Sequence, residues 1–76
     1  MLKLAVELAI PEPSIPNTIT QLIEALDLEP QNLEYIGGTA YIAVEMDLLA
    51  AEALADKAED WLEDQDIDYH QAWVEI

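Results

Sequence analysis

Apolar and polar residues trade places along this chain in two rhythms, one of period two and one near 3.6. Leu2, Leu4, Val6, Leu8 and Ile10 alternate with Lys3, Ala5, Glu7 and Ala9, which puts the larger set on one face of a strand. Pro11, Pro13 and Pro16 follow. Proline has no ladder donor and restricts the residue before it, so PEPSIP reads as a stiff loop that ends the strand. From Pro16 or Asn17 the rhythm changes: Ile19, Leu22, Ile23 and Leu26 recur at helical spacing, with Ser14, Asn17 or Thr18 available to cap the start. Pro30 predicts that this helix ends near Leu28.

Leu33 to Ile36 and Thr39 to Met46 flank Gly37-Gly38. Two glycines permit the positive φ values of a tight turn, so the pair predicts a hairpin with Tyr35 opposite Ala40 and Leu33 opposite Ile42. In the second arm Ala40, Ile42, Val44 and Met46 share one face, and Thr39, Tyr41, Ala43 and Glu45 the other. Asp47 suits the N-cap of a second helix. Leu48, Ala51, Leu54, Ala55, Ala58 and Leu62 then form one stripe at about 100° per residue, with Trp61 at its margin. The helix is expected to run on through EALADKAEDWLEDQDID, Glu52 to Asp68. Tyr69 to Ile76 alternates again, with His70, Ala72, Val74 and Ile76 opposing Tyr69, Gln71, Trp73 and Glu75.

The order βαββαβ predicts an α+β, ferredoxin-like fold: a four-stranded antiparallel sheet with two helices on one face. Right-handed crossovers give the spatial strand order 4-1-3-2. Residues 1–76 are expected to form a single small domain, because a second core would not fit. Such a frame hosts many unrelated activities and assigns none.

Composition changes this picture in one respect. At 53% hydrophobic the chain has enough apolar surface to fold, yet its formal charge is −15, far outside the usual balance. It has no cysteine, so neither a disulfide nor a thiolate zinc site reinforces the core, and oligomerisation is the remaining support. The opening MLKLAVELAI resembles a signal peptide only briefly, since Glu7 interrupts it and no cleavage site follows. No run approaches the ~18–20 apolar residues of a membrane span. The expectation is a soluble cytoplasmic protein.

Seventeen acids against two bases exclude direct binding to nucleic acid or anionic lipid, whose phosphates would repel this surface. The natural partner is a basic protein surface. The charge is unevenly placed. Gln21, Glu24 and Asp27 are the few outward residues of the first helix, whereas Glu52, Asp56, Glu59, Asp60 and Glu63 gather on one stripe of the second, with Lys57 its only base. Acids near a helix C-terminus oppose the macrodipole, so local stability does not account for them.

Catalytic chemistry finds little material. His70 is the only histidine and falls on the expected core-facing side of the last strand, without the serine, cysteine or second histidine of a nucleophilic set. Paired carboxylates work as acid and base only in a desolvated cleft, which a solvated helix face lacks. Asp64, Asp66, Asp68 and Glu75 match positions 1, 3, 5 and 12 of a calcium loop, but Tyr69 stands where the template needs glycine and a strand follows instead of a helix. No enzyme, metal site or cofactor is expected.

The acidic stripe suggests recognition instead. Carboxylates four residues apart lie roughly 6 Å apart along a helix axis, close to the ~7 Å advance of two nucleotides of one strand. Glu52, Asp56, Asp60 and Asp64 trace such a row, widened by Glu59 and Glu63. In this general way the chain resembles small phage-encoded acidic inhibitors, the anti-CRISPR and anti-restriction proteins, several of which mimic DNA. That resemblance implies a non-enzymatic protein that blocks the nucleic-acid-binding groove of a nuclease or regulator. Trp61, Tyr41 and Trp73 are the candidate apolar anchors. The competing reading is a ferredoxin-like assembly module. Its uncovered sheet face, carrying Ala5, Ala9, Tyr41, Ala43, Tyr69 and Trp73 within a ring of Lys3, Glu7, Glu45 and Glu75, would form a homodimer, the acidity then serving solubility or a saline host.

Overall fold

The computed structural model describes residues 2–76. Its elements are β1 (Leu2–Leu8), a short 3-10 turn (Glu12–Ser14), α1 (Ile15–Ala25), β2 (Asn32–Ile36), β3 (Thr39–Val44), α2 (Leu48–Asp64) and β4 (Tyr69–Glu75). The four strands make one antiparallel sheet in the order β2-β3-β1-β4, so the fold is α+β. Counted from the other edge, this is the expected order 4-1-3-2. The glycine hairpin pairs Tyr35 with Ala40 and Leu33 with Ile42, and Gly37 takes φ 61°, the left-handed value the turn requires.

Period-two patterning determines what the sheet buries. Leu4, Val6 and Leu8 of β1, with Ala40, Ile42 and Val44 of β3, form one cluster with Ile15, Ile19 and Leu22 of α1 and Leu54, Ala55, Ala58 and Leu62 of α2. Leu62 is fully buried, and truncating such a leucine to alanine costs about 2–5 kcal/mol, a large share of what so small a domain possesses.

Helix boundaries depart from expectation at three places. The α1 start uses no side-chain cap: Ser14 occupies the capping position without a side-chain bond, its backbone already helical at φ −89° and ψ −14°. The 3-10 turn runs straight into the helix, and Pro16 in the first turn has no N–H to satisfy. Thr18 instead donates its hydroxyl to the Ser14 carbonyl at 3.0 Å. At the other end α1 stops at Ala25, short of Leu28, and α2 stops at Asp64, so Gln65 to Asp68 are not helical.

The same device ends both helices. Asp27 and Asp66 take φ 55° and 57°, reversing the chain. The N–H of Leu28 reaches back to the Ile23 carbonyl at 3.0 Å, and that of Ile67 to Leu62 at 2.9 Å. Each is a Schellman closure with an aspartate where glycine is usual. Asp47, by contrast, caps α2 as expected, accepting the Ala50 N–H at 2.7 Å.

The sharpest correction is in β4. Glu7 pairs with Gln71, but Leu8 pairs with Tyr69, leaving His70 as the extra residue of a bulge. A one-residue slip exchanges faces. Tyr69 therefore turns to the helix side and packs on the core, leaving the uncovered face, while His70 is exposed and not core-facing. Ala9 lies beyond the end of β1 and also drops out of that face.

Candidate functional site

Because α2 packs on β4 as well as β1, the acids of its outer flank lie along the sheet edge that β4 forms. Three features mark this alignment. Glu63, near the helix end, lies close enough to Tyr69 at the start of β4 to raise its phenol pKa. One turn back, Glu59 Oε2 accepts the Ala72 N–H at 2.8 Å. Nearer the helix start, Glu52 and Asp56 share a groove of about 440 Å³ with Trp73, Val74 and Ile76.

Glu59 is thus not a free member of the acidic stripe. Ala72 lies on an edge strand, whose outward N–H groups have no ladder partner, and a half-buried carboxylate satisfies one of them with a charge-assisted bond. Glu63 has no such bond and acts on Tyr69 through its charge: burial holds the Tyr69 phenol above its ordinary value of 10.0, and Glu63, Glu59 and Asp60 push the same way. Negative charge around a phenol disfavours the phenolate. Glu52, Asp56, Asp60 and Asp64 are exposed on α2 at four-residue spacing, each step turned by about 40° around the helix axis.

The three aromatic candidates do not converge. Trp61 is nine residues from Glu52, on the opposite side of α2 at helical spacing, and is half-buried against the core. Tyr41 and Trp73 both pair with Ala5, one from β3 and one from β4, on the sheet face away from the helices. Ala5 is fully buried between these two rings, and Ala43, whose cross-strand neighbours are Lys3 and Asn32, is nearly so. Glu34 continues the row beyond Tyr41. Gln71 donates to Glu7 at 3.3 Å, and the Trp73 indole N–H to Glu75 at 3.2 Å. Of the three, only Trp73 reaches the acidic flank, through the groove.

The groove itself was not foreseen. Its apolar wall, Leu48, Ala55, Val74 and Ile76, combines a helix start and a strand end that are distant in sequence. The available signal was the alternation of β4, which sets Ala72, Val74 and Ile76 on the helix side and so requires an α2 flank beside the edge.

Among the described residues, no group of three or more His, Cys, Asp or Glu side chains is placed to hold a metal ion, and no helix is long and apolar enough to cross a membrane. Asp64, Asp66 and Asp68 are separated by the reversal at Asp66. Compared with protein-family models, curated proteins and solved structures, the chain matches none significantly.

Proposed function

We propose that this chain is a non-enzymatic interaction protein, built on a ferredoxin-like frame, that occupies a basic nucleic-acid-binding surface in place of nucleic acid. The frame is supported by the strand order and by the single buried cluster that joins residues of both helices to β1 and β3. The carrying observation for function is the exposed row Glu52, Asp56, Asp60 and Asp64 on α2. It has a spacing of roughly 6 Å per step on a helix whose flank is tied to the sheet by Glu59. Rigid display matters, because a partner's lysines and arginines then meet charges already held in place. The partner is a nuclease or regulator with a basic groove, and the inhibitor class is that of anti-CRISPR and anti-restriction proteins.

A homodimer through the uncovered sheet face fits less well. Glu7, Glu34 and Glu75 stand around Tyr41 and Trp73 with Lys3 the single base, so two identical faces would set like charges together. Reversal of Asp56, Asp60 and Asp64 to lysine tests the reading, since these side chains support no bond of the fold. Loss of partner binding by a folded variant is expected; retained binding would refute the row as the contact.

A further inference from the structure

We infer that the groove between the first half of α2 and β4 receives an extended basic segment of the partner, added as a strand to the β4 edge. This rests on the reading of the chain as a binder of basic protein and specifies where contact is made. β4 is the end strand of the sheet. In an antiparallel ladder outward and inward groups alternate, and the Ala72 N–H points outward, since Glu59 accepts it. The Val74 backbone, two residues on, therefore also points outward. Glu59 closes the edge at Ala72 and leaves it open at Val74, where the groove of about 440 Å³ lies.

The walls define the occupant. Side chains of an added strand alternate between the two faces of the sheet. On the helix side they meet Ala55 and Leu48 below a rim of Glu52 and Asp56, which suits the long apolar stem and cationic head of arginine or lysine. On the other side they meet Trp73, which accepts an apolar group or a stacked guanidinium. A second copy of this chain would bring its own Glu52 and Asp56 to the same edge, with −15 on each protein, so charge complementarity selects a basic partner. Main-chain bonds from the edge and side-chain selection from the walls make this strand addition.

The test uses the full chain and a fluorescent peptide of alternating arginine and valine, with a peptide of the same charge carrying a central proline as control. Two double variants remove equal charge, Glu52→Gln with Asp56→Asn at the groove, and Asp60→Asn with Asp64→Asn further along the helix. Expected are a loss of about tenfold in affinity for the groove variant and less than about twofold for the other, because Asp60 and Asp64 lie outside the groove and meet the body of the partner, which the peptide lacks. Binding should slow hydrogen exchange at the Val74 amide, and the proline peptide should bind weakly because it lacks a ladder donor. Equal losses from both variants, with Val74 exchange unchanged, would overturn the groove and leave the acidic row standing as a diffuse attractor. No loss from either variant would overturn both. Self-association of the chain protecting Val74 without peptide would overturn the assignment of the occupant.

Discussion

Glu59 of α2 accepts the backbone N–H of Ala72 in β4 through Oε2 at 2.8 Å, so one residue of an acidic stripe serves the fold. The bond joins a helix flank to an edge strand that would otherwise offer an unpaired donor. Glu59→Ala should lower stability by about 1 kcal/mol, a fall in melting temperature of roughly 4–8 °C for a domain of this size. It should also increase aggregation, because the edge is opened. Denaturant melts together with light scattering check both; unchanged stability would remove Glu59 from the fold.

The helix end carries the opposite sign. Asp64 is exposed in the last turn of α2, where a negative charge opposes the macrodipole. Asp64→Lys should raise stability by about 0.3–1 kcal/mol while weakening partner binding. Paired measurement of melt and affinity tests this. A position that gains stability as it loses binding is the mark of a residue kept for contact, and destabilisation by Asp64→Lys would contradict the account.

Asp66 offers a similar test without a contact role. Its φ of 57° strains a residue with a Cβ, and glycine relieves it, so Asp66→Gly should stabilise by roughly 1 kcal/mol. A urea titration reads the shift in midpoint.

Tyr69 should report alkaline pH. Burial, followed by Glu63, Glu59 and Asp60, raises its phenol above 10.0, so the folded state favours the protonated form. This contribution is complete below pH 10 and is lost as pH climbs through the raised folded value. Phenolate absorbance should show Tyr69 titrating above 10.0, and Tyr69→Phe should flatten the fall in stability above pH 10. Unaltered alkaline behaviour in that variant would refute the influence of burial and the α2 carboxylates on Tyr69.

Much of this architecture can be read from residue order, and the exceptions share a cause. Alternation in β1 and β3 and the Gly37-Gly38 turn specify the ladder register because a slip would bury Glu7 or expose Ile42. The Asp47 cap is local chemistry and equally legible. The bulge at His70 is not. It depends on how β4 must meet Leu8 and then leave toward Asp68, whose carbonyl takes the Ala9 N–H at 3.1 Å. For the same reason Tyr69 was expected on the wrong face. Of the acidic row, the positions of Glu52, Asp56, Asp60 and Asp64 follow from helical spacing alone. The engagement of Glu59 by Ala72 needed the tertiary placement of an edge strand beside it, and so did the groove between Leu48 and Ile76.

The acidity also forecasts a response to salt. If contact explains it, the chain should melt cooperatively in about 0.1 M salt, where screening already acts over ~10 Å, and gain only modestly from more. Collapse of the fold below molar salt would favour a saline host as the origin of the charge.

Displacement of nucleic acid tests the central claim most directly. With a basic partner bound to fluorescent duplex DNA or RNA, anisotropy should fall as this protein is added, reaching the free-probe value near one equivalent. The Asp56→Lys, Asp60→Lys, Asp64→Lys variant should leave the complex intact. Equal displacement by the variant, or binding of the protein beside nucleic acid without releasing it, would contradict mimicry by the α2 row.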